Sequence, residues 1–226
     1  MTARRTTQGR TRAFYDGISG AYDLIADSSE HAARDLGLRA LGVSSGERVL
    51  EIGCGTGHAL VSLAGEVGPT GQVHGVDVSS GMMAVARRRI ESAGLRNVAL
   101  TIGDARVLCF RSSVFDAVFM SFTLELFERT MPDVLAEMRR VLCIGGRLGI
   151  VAMSDTGETN AMIELYAWLH RRWPQFVDCR PINLVGALQA APFQIANVQA
   201  TAIWGLPVIA AVGIKGSAGS RDGSSS

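Results

Sequence analysis

The 226-residue chain is predicted to be an α/β protein with a doubly wound, seven-stranded sheet. Five strands should run parallel, followed by a C-terminal antiparallel hairpin, with helices on both faces. Three observations predict this. Short runs rich in Val, Ile and Leu alternate with amphipathic stretches between residues 48 and 153, the pattern of repeated βα units. The first of these runs breaks into Gly53-Cys54-Gly55-Thr56-Gly57 and then a helical pattern, which reads as strand, tight turn and helix start. The last two apolar runs nearly abut across Trp204-Gly205, and neighbours that close pair antiparallel.

Each element has its own signal. Residues 1–12 carry Arg4, Arg5, Arg10 and Arg12 without apolar periodicity and are expected to be a disordered basic arm. From residue 13, Phe14, Ile18, Ala21, Tyr22 and Ile25 fall at helical spacing, and a second helix is expected over Ser29–Leu41, ending near Gly42. Strand Arg48–Ile52 leads to helix Gly57–Val67, closed by Gly68-Pro69-Thr70-Gly71. Strand Gln72–Asp77 leads to helix Ser79–Ala93, capped by Ser79 or Ser80 and stopped by Gly94. Strands Val98–Ile102 and Phe115–Met120 follow. Helix Met131–Leu142 has Pro132 in its first turn, where proline is tolerated. Strand Arg147–Met153 completes the parallel set. A helix over Glu158–Arg171, a proline-bounded segment and a helix over Ile182–Ala190 precede the hairpin strands Phe193–Ala200 and Leu206–Ile214. Residues 13–215 form one domain, and the Gly/Ser-rich stretch 216–226 is expected to be a flexible tail.

Composition narrows the function. Lys+Arg 22 against Asp+Glu 21 gives a net charge of +1, without the basic excess of a nucleic-acid binder. Cys54, Cys109, Cys143 and Cys179 show no paired spacing and are expected to be reduced thiols of a cytoplasmic protein. His31, His58, His74 and His170 are scattered, so no metal site is expected. The run Arg87-Arg88-Arg89 is expected to be a solvated helix face. No apolar segment follows the N-terminal arginines, so no secretory signal is expected. The longest apolar stretch, Ala202–Ile214, is too short and too interrupted to span a bilayer, which leaves peripheral membrane contact open. The oligomeric state has no signal in the sequence.

The glycine-rich turn points to a ligand. A helix start presents unpaired backbone N–H groups and a positive dipole end, and glycines let a ligand approach the main chain. Asp77, at the tip of the next strand, is placed to accept from ribose hydroxyls. A nucleoside bearing an anionic group is therefore expected. The dinucleotide fingerprint Gly-x-Gly-x-x-Gly/Ala fails here, because its third position is His58, and the phosphate loop ending in Lys-Ser/Thr is absent.

Glu51-x-Gly53-x-Gly55-x-Gly57 with Asp77 twenty positions on resembles motif I of the class I S-adenosylmethionine-dependent methyltransferases. Gly103-Asp104-Ala105, Phe115-Asp116-Ala117-Val118, Arg139-Arg140-Val141-Leu142 and Gly145-Gly146-Arg147-Leu148 resemble that family's later motifs. Tyr15-Asp16, Tyr22-Asp23, Phe122-Thr123-Leu124-Glu125-Leu126-Phe127 and Trp204-Gly205-Leu206-Pro207 are similar to its ubiquinone/menaquinone C-methyltransferase-like branch.

The resemblance implies a Rossmann-like fold, S-adenosylmethionine as cofactor and methyl transfer to a small acceptor, such as a quinone-like or other apolar ring. A phospholipid amine is the alternative acceptor, and a non-catalytic S-adenosylmethionine-binding protein is the alternative of another class. It also implies site residues. Glu51, Gly53, Cys54, Gly55 and Gly57 would line the methionine end, and Asp77 would hold the ribose. Val78 and Met82 would face adenine, and Asp104 and the Ala105 N–H would read its edge. Ser121 and Phe122 would border methionine and acceptor. Tyr15 and Tyr22 would belong to a helical lid over residues 13–42. Glu125 and His170 are the candidates for a catalytic base. The family's usual prolines are replaced by Cys109 in Leu108-Cys109-Phe110 and by Ile144 in Cys143-Ile144-Gly145-Gly146, which predicts looser turns.

Overall fold

The computed structural model describes residues 27–155 and 180–217. The expected helices at 13–25 and Glu158–Arg171, the basic arm and most of the C-terminal tail lie outside the described residues. So do Tyr15, Tyr22, His170 and Cys179.

Helix α1 spans Asp27–Leu41, strand β1 Arg48–Ile52, α2 His58–Val67, β2 Gln72–Asp77, α3 Ser80–Ser92 and β3 Val98–Ile102. Strand β4 spans Phe115–Ser121 and is followed by a 3₁₀ turn over Leu124–Phe127. Helix α4 spans Met131–Val141, β5 Leu142–Met153, α5 Leu184–Ala190, β6 Phe193–Ile203 and β7 Leu206–Lys215. The seven strands form one sheet in the order β3-β2-β1-β4-β5-β7-β6. Neighbours from β3 to β5 are parallel. Strand β7 runs antiparallel to both β5 and β6.

Strand periodicity divides the core in two. On β4, Val118 and Met120 join one apolar cluster, and Ala117 and Phe119 join the other. The first cluster takes in Val134, Leu135 and Met138 of α4 and Leu184 and Leu188 of α5. The second takes in Ala33 and Leu38 of α1, Leu60 and Leu63 of α2 and Met83 of α3. Helices therefore cover both faces, as expected. Gly37 lets α1 lie flush on the sheet, because a Cβ there would collide with Val151.

Several boundaries have identifiable causes. Ser79 caps α3 by accepting from the Met82 amide at 3.1 Å. Asn183 caps α5 by accepting from Gly186 at 2.9 Å, so α5 begins at Leu184 and not at Ile182. Strand β5 begins five residues earlier than the expected Arg147. Its register against β4 jumps from Phe115–Leu142 to Ala117–Arg147, so residues 143–146 form a bulge within the strand. Gly145 there has φ 78, and Lys215 Nζ donates to the Leu142 carbonyl at 2.6 Å. The hairpin turn Trp204-Gly205 has φ of 49 and 80, the left-handed pair that matches strand twist in a two-residue turn.

Candidate active site

Growth of the sheet reverses between β1 and β4, and ligands of such sheets bind in the crevice at the carboxyl ends flanking that point. Here the two strand exits touch. A Cβ on Gly53 would collide with the Thr123 side chain, and Thr123 Oγ1 donates back to the Ser121 carbonyl at 2.8 Å. Phe122 between them sits at φ 47, rare for an aromatic residue and typical of strained positions at functional sites. Its amide donates to the Val151 carbonyl at 2.8 Å, and its half-buried ring packs on the apolar cluster of one sheet face. Ser121 is half-buried at the strand end.

The glycine loop differs from the expectation of bare amides. Gly53 and Cys54 donate to the Val76 carbonyl at 2.8 and 3.2 Å, and Gly57 donates to the Cys54 carbonyl at 2.8 Å. Gly55 donates to Asp77 Oδ2 at 2.9 Å. These four N–H groups bond within the protein, because the loop folds back on the end of β2. What stays open is one Cα face: a Cβ on Gly55 would meet nothing within 4 Å. A Cβ on Gly57 would lie 3.0 Å from Ala86 Cβ, so that glycine serves the packing of α2 on α3. All three glycines have left-handed φ of 67, 51 and 84, which side chains rarely adopt. Cys54 turns inward, its Sγ 3.6 Å from Met83 Sδ. Burial, with Glu51 and Asp77 adding negative charge, pushes its thiol pKa well up, and the buried side chain is not presented to a ligand.

Asp77 organises the loop. Its Oδ2 takes the Gly55 amide and its Oδ1 takes the Ser79 amide at 2.8 Å. The carboxylate thus ties β2, the glycine loop and the α3 cap together. Beside it, Glu51 is only 3 % exposed, and its Oε2 has no hydrogen-bond partner among the described residues. Burial lifts its pKa from 4.5 to about 8, Arg34 opposes that rise, and Asp77 adds to it. Glu125, in the 3₁₀ turn, is 2 % exposed. Its Oε1 accepts from the Met153 amide at 2.8 Å, and Oε2 lacks a partner among the described residues. Burial lifts its pKa to about 7, against the amides of Glu125 and Met153 that favour the charge, with Glu30 adding to the rise.

On the other side of Asp77, the Asp104–Val107 turn leaves β3. Gly103 donates to the Asp77 carbonyl at 2.9 Å and Val107 to the Asp104 carbonyl at 3.0 Å. Asp104, expected to read the adenine edge, is gripped in a fork by Arg106, Nε to Oδ1 at 3.0 Å and Nη2 to Oδ2 at 2.6 Å. Ala105 and Met82 are buried and Val78 is half-buried. Beneath the turn lies a cleft of about 170 Å³, bounded by Asp104, Leu108, Cys109 and Phe110.

Sequence reasoning missed four contributors. Thr123 covers Gly53, Arg34 faces Glu51 electrostatically and Arg106 holds Asp104. Arg89, expected in a solvated run, donates to the Thr56 carbonyl in the glycine loop. The signal for Arg89 was its i+3 relation to Ala86, which packs on Gly57. Nothing local signals Arg34, which reaches Glu51 only through the docking of α1. Among the described residues no His/Cys/Asp/Glu group could hold a metal, and no helix is long and apolar enough to cross a membrane.

Comparison with known proteins supplies the family. A family profile described as a methyltransferase domain matches residues 49–146, the span from β1 to the β5 bulge. A demethylmenaquinone methyltransferase from Bacillus cytotoxicus is 34% identical over 152 residues, covering 64% of this chain and 62% of that protein. One from Listeria monocytogenes is 35% identical over 162 residues, 69% of this chain and 65% of that protein. The chain belongs to the class I S-adenosylmethionine-dependent methyltransferases. It spans 62% to 66% of the length of the curated relatives it matches, somewhat under two thirds. Solved structures agree on the fold. An S-adenosylmethionine-dependent methyltransferase from Aquifex aeolicus superposes with a TM-score of 0.67 at 21% identity, covering 87% of this chain and 97% of that one. A phosphoethanolamine N-methyltransferase from Haemonchus contortus, bound to phosphomonomethylethanolamine and S-adenosylhomocysteine, gives 0.72 at 18%, covering 92% and 61%.

The site also fits this family's cofactor on structural grounds. The open face of Gly55 leaves room beside the main chain, and the unpartnered Glu51 oxygen is a buried acceptor that a cation would satisfy.

Proposed function

We propose that this protein transfers a methyl group from S-adenosylmethionine to a small apolar ring acceptor of the quinone type. The observation that carries the proposal is the open Gly55 face, flanked by the Asp77 carboxylate and by the orphaned oxygen of Glu51. When bound, the cofactor supplies a methyl group activated by a sulfonium. The protein's task is then to align the acceptor and exclude water, which needs little acid–base machinery.

In this reading Glu51 receives the cofactor's ammonium, and Asp77 accepts from the ribose hydroxyls while keeping the loop folded. Gly53, Cys54 and Gly57 support the methionine end through the main chain. Val78 and Met82 border the adenine, and Asp104 and the Ala105 N–H read its edge. Ser121 and Phe122, at the strained exit of β4, border the acceptor. Tyr15 and Tyr22 belong to the proposed lid.

Methylating a ring carbon requires the loss of a proton. Glu125 has a pKa lifted to about 7, matched to a base at neutral pH, and it lies two residues beyond Thr123 at the same strand exit. His170 is the second candidate. The quinone assignment draws on the curated relatives, whose names specify demethylmenaquinone. The likeness to the phosphoethanolamine enzyme, at 18% identity, concerns the fold alone.

The test has two steps. Calorimetric titration with S-adenosylmethionine should show binding, and absence of binding at millimolar concentration removes the proposal. Incubation with methyl-labelled cofactor and demethylmenaquinone in detergent should then yield a labelled quinone. Binding without transfer to this or any extracted metabolite would favour a non-catalytic binding protein.

A further inference from the structure

We infer that Glu137 and Arg140 of α4 are positioning residues for the cofactor-reading turn, acting through the segment Leu108–Phe110. The inference rests on the cofactor reading above.

The Asp104–Val107 turn is tethered on one side by the Gly103 amide on the Asp77 carbonyl. On its other side the chain runs without regular structure, from residue 108 to 114, and without a proline from Gly103 to Val114. Backbone groups there need partners from elsewhere. Ser113 and Val114 donate to the Arg140 and Val141 carbonyls, while Leu108 and Phe110 find their partners on one ion pair. Arg140 Nε donates to Glu137 Oε1 at 2.7 Å and Nη2 to Oε2 at 2.8 Å. The pair then takes hold of both polar groups of Leu108: its amide donates to Glu137 Oε2 at 2.8 Å, and its carbonyl accepts from Arg140 Nη2 at 3.1 Å. Arg140 Nη1 also donates to the Phe110 carbonyl at 2.7 Å. The residue directly after the turn is thus fixed at both its backbone N–H and its carbonyl.

The pair itself is held in its charged form. The Arg140 guanidinium holds the Glu137 carboxyl below its ordinary range, and Glu137 raises Arg140 in return. Charge-assisted, forked bonds of this kind are about twice as strong as neutral ones. The far end of the segment is seated as well. Phe110 meets His74 edge-on at 4.7 Å and Phe115 at 5.1 Å, and His74 bonds to Thr101 Oγ1 of β3 at 2.9 Å. Arg140 therefore does what a proline would do, with side-chain bonds replacing a covalent restraint on the backbone.

A matched control exists on the other face of the sheet, at the end of α1. Arg147 makes the same kind of arrangement there, with Nη2 to Glu47 Oε2 at 2.6 Å and Nε to the Leu41 carbonyl at 3.0 Å. Loss of Arg147 should lower stability without touching the site. The experiment measures the dissociation constant of S-adenosylmethionine and the melting temperature for wild type, Arg140→Ala, Arg140→Lys, Glu137→Gln and Arg147→Ala.

Arg140→Ala is expected to weaken binding by about tenfold or more, and Arg140→Lys and Glu137→Gln by several-fold. Arg147→Ala should melt earlier and bind within twofold of wild type. If Arg140→Ala does not fold, Arg140→Lys and Glu137→Gln carry the test with the same expected direction. Unchanged affinity in the Arg140 and Glu137 variants, or an equal loss in Arg147→Ala, overturns the positioning role while leaving the cofactor reading intact. A wild-type protein that binds no cofactor overturns both.

Discussion

Replacing Glu51 by glutamine isolates the most costly group in the site. The carboxyl is buried, one oxygen has no partner among the described residues, and its pKa rises from 4.5 to about 8. The sign follows from linkage: the folded state holds this proton more tightly than the unfolded chain does. The stability it contributes is fully present below pH 4.5 and is lost as pH rises toward 8. At about 1.4 kcal/mol per pH unit, the loss across that window is roughly 5 kcal/mol. For a domain of this size, 1 kcal/mol moves the melting temperature by about 2–4 °C. Glutamine keeps the shape and is neutral throughout. The melting temperature of Glu51→Gln minus that of wild type should therefore grow from near zero at pH 4.5 to roughly 10–20 °C at pH 8, read by circular dichroism. A difference that stays flat with pH would refute the reasoning, since it would mean that Glu51 titrates normally in the fold. The same residue should release a proton when a cation is bound beside it, so Glu51→Gln should also weaken S-adenosylmethionine binding.

Gly55→Ala should cost about 1–2 kcal/mol of stability from left-handed strain and abolish most cofactor binding. Gly53→Ala should destabilise more, because its methyl would strike Thr123; denaturation midpoints and calorimetry separate the two. Asp77→Ala should weaken cofactor binding by about 1–3 kcal/mol and also loosen the loop, since the Gly55 and Ser79 amides lose their acceptor; titration and amide exchange at those positions report both. Glu125→Gln tests the base assignment. Because its pKa is lifted to about 7, wild-type turnover should rise with pH through that range, and the variant should be slow at every pH while still binding cofactor. Unimpaired turnover would leave Glu125 with only its bond to the Met153 amide.

Much of this protein is legible in its sequence for a local reason. The bounds of β1, β2 and β3 coincide with the apolar runs that predict them: the inner strands are apolar because both faces are covered, and the half-exposed edge strand β3 still carries Val, Leu, Thr and Ile, which suit a pleated surface. Gly53, Gly55 and Gly57 are placed by their own φ values, and the cap by Ser79 is a contact three residues long. The sequence by itself therefore determines the fold, the crevice and the identity of the loop that lines it.

Tertiary structure alone decides how those residues are used. Whether a glycine faces a ligand or a neighbour depends on what packs above it: Gly55 meets open space, Gly57 meets Ala86 and Gly53 meets Thr123. Whether a carboxyl is charged depends on burial and on partners from distant segments. Glu51 keeps its proton although α1 brings Arg34 to it, and Glu125 is bonded by the Met153 amide from the far end of β5. The turn at Leu108 is set from residues 137 and 140, about thirty positions away. Long-range hydrogen bonds and electrostatic fields of this kind act across space and not along the chain, so no pattern of neighbouring residues encodes them.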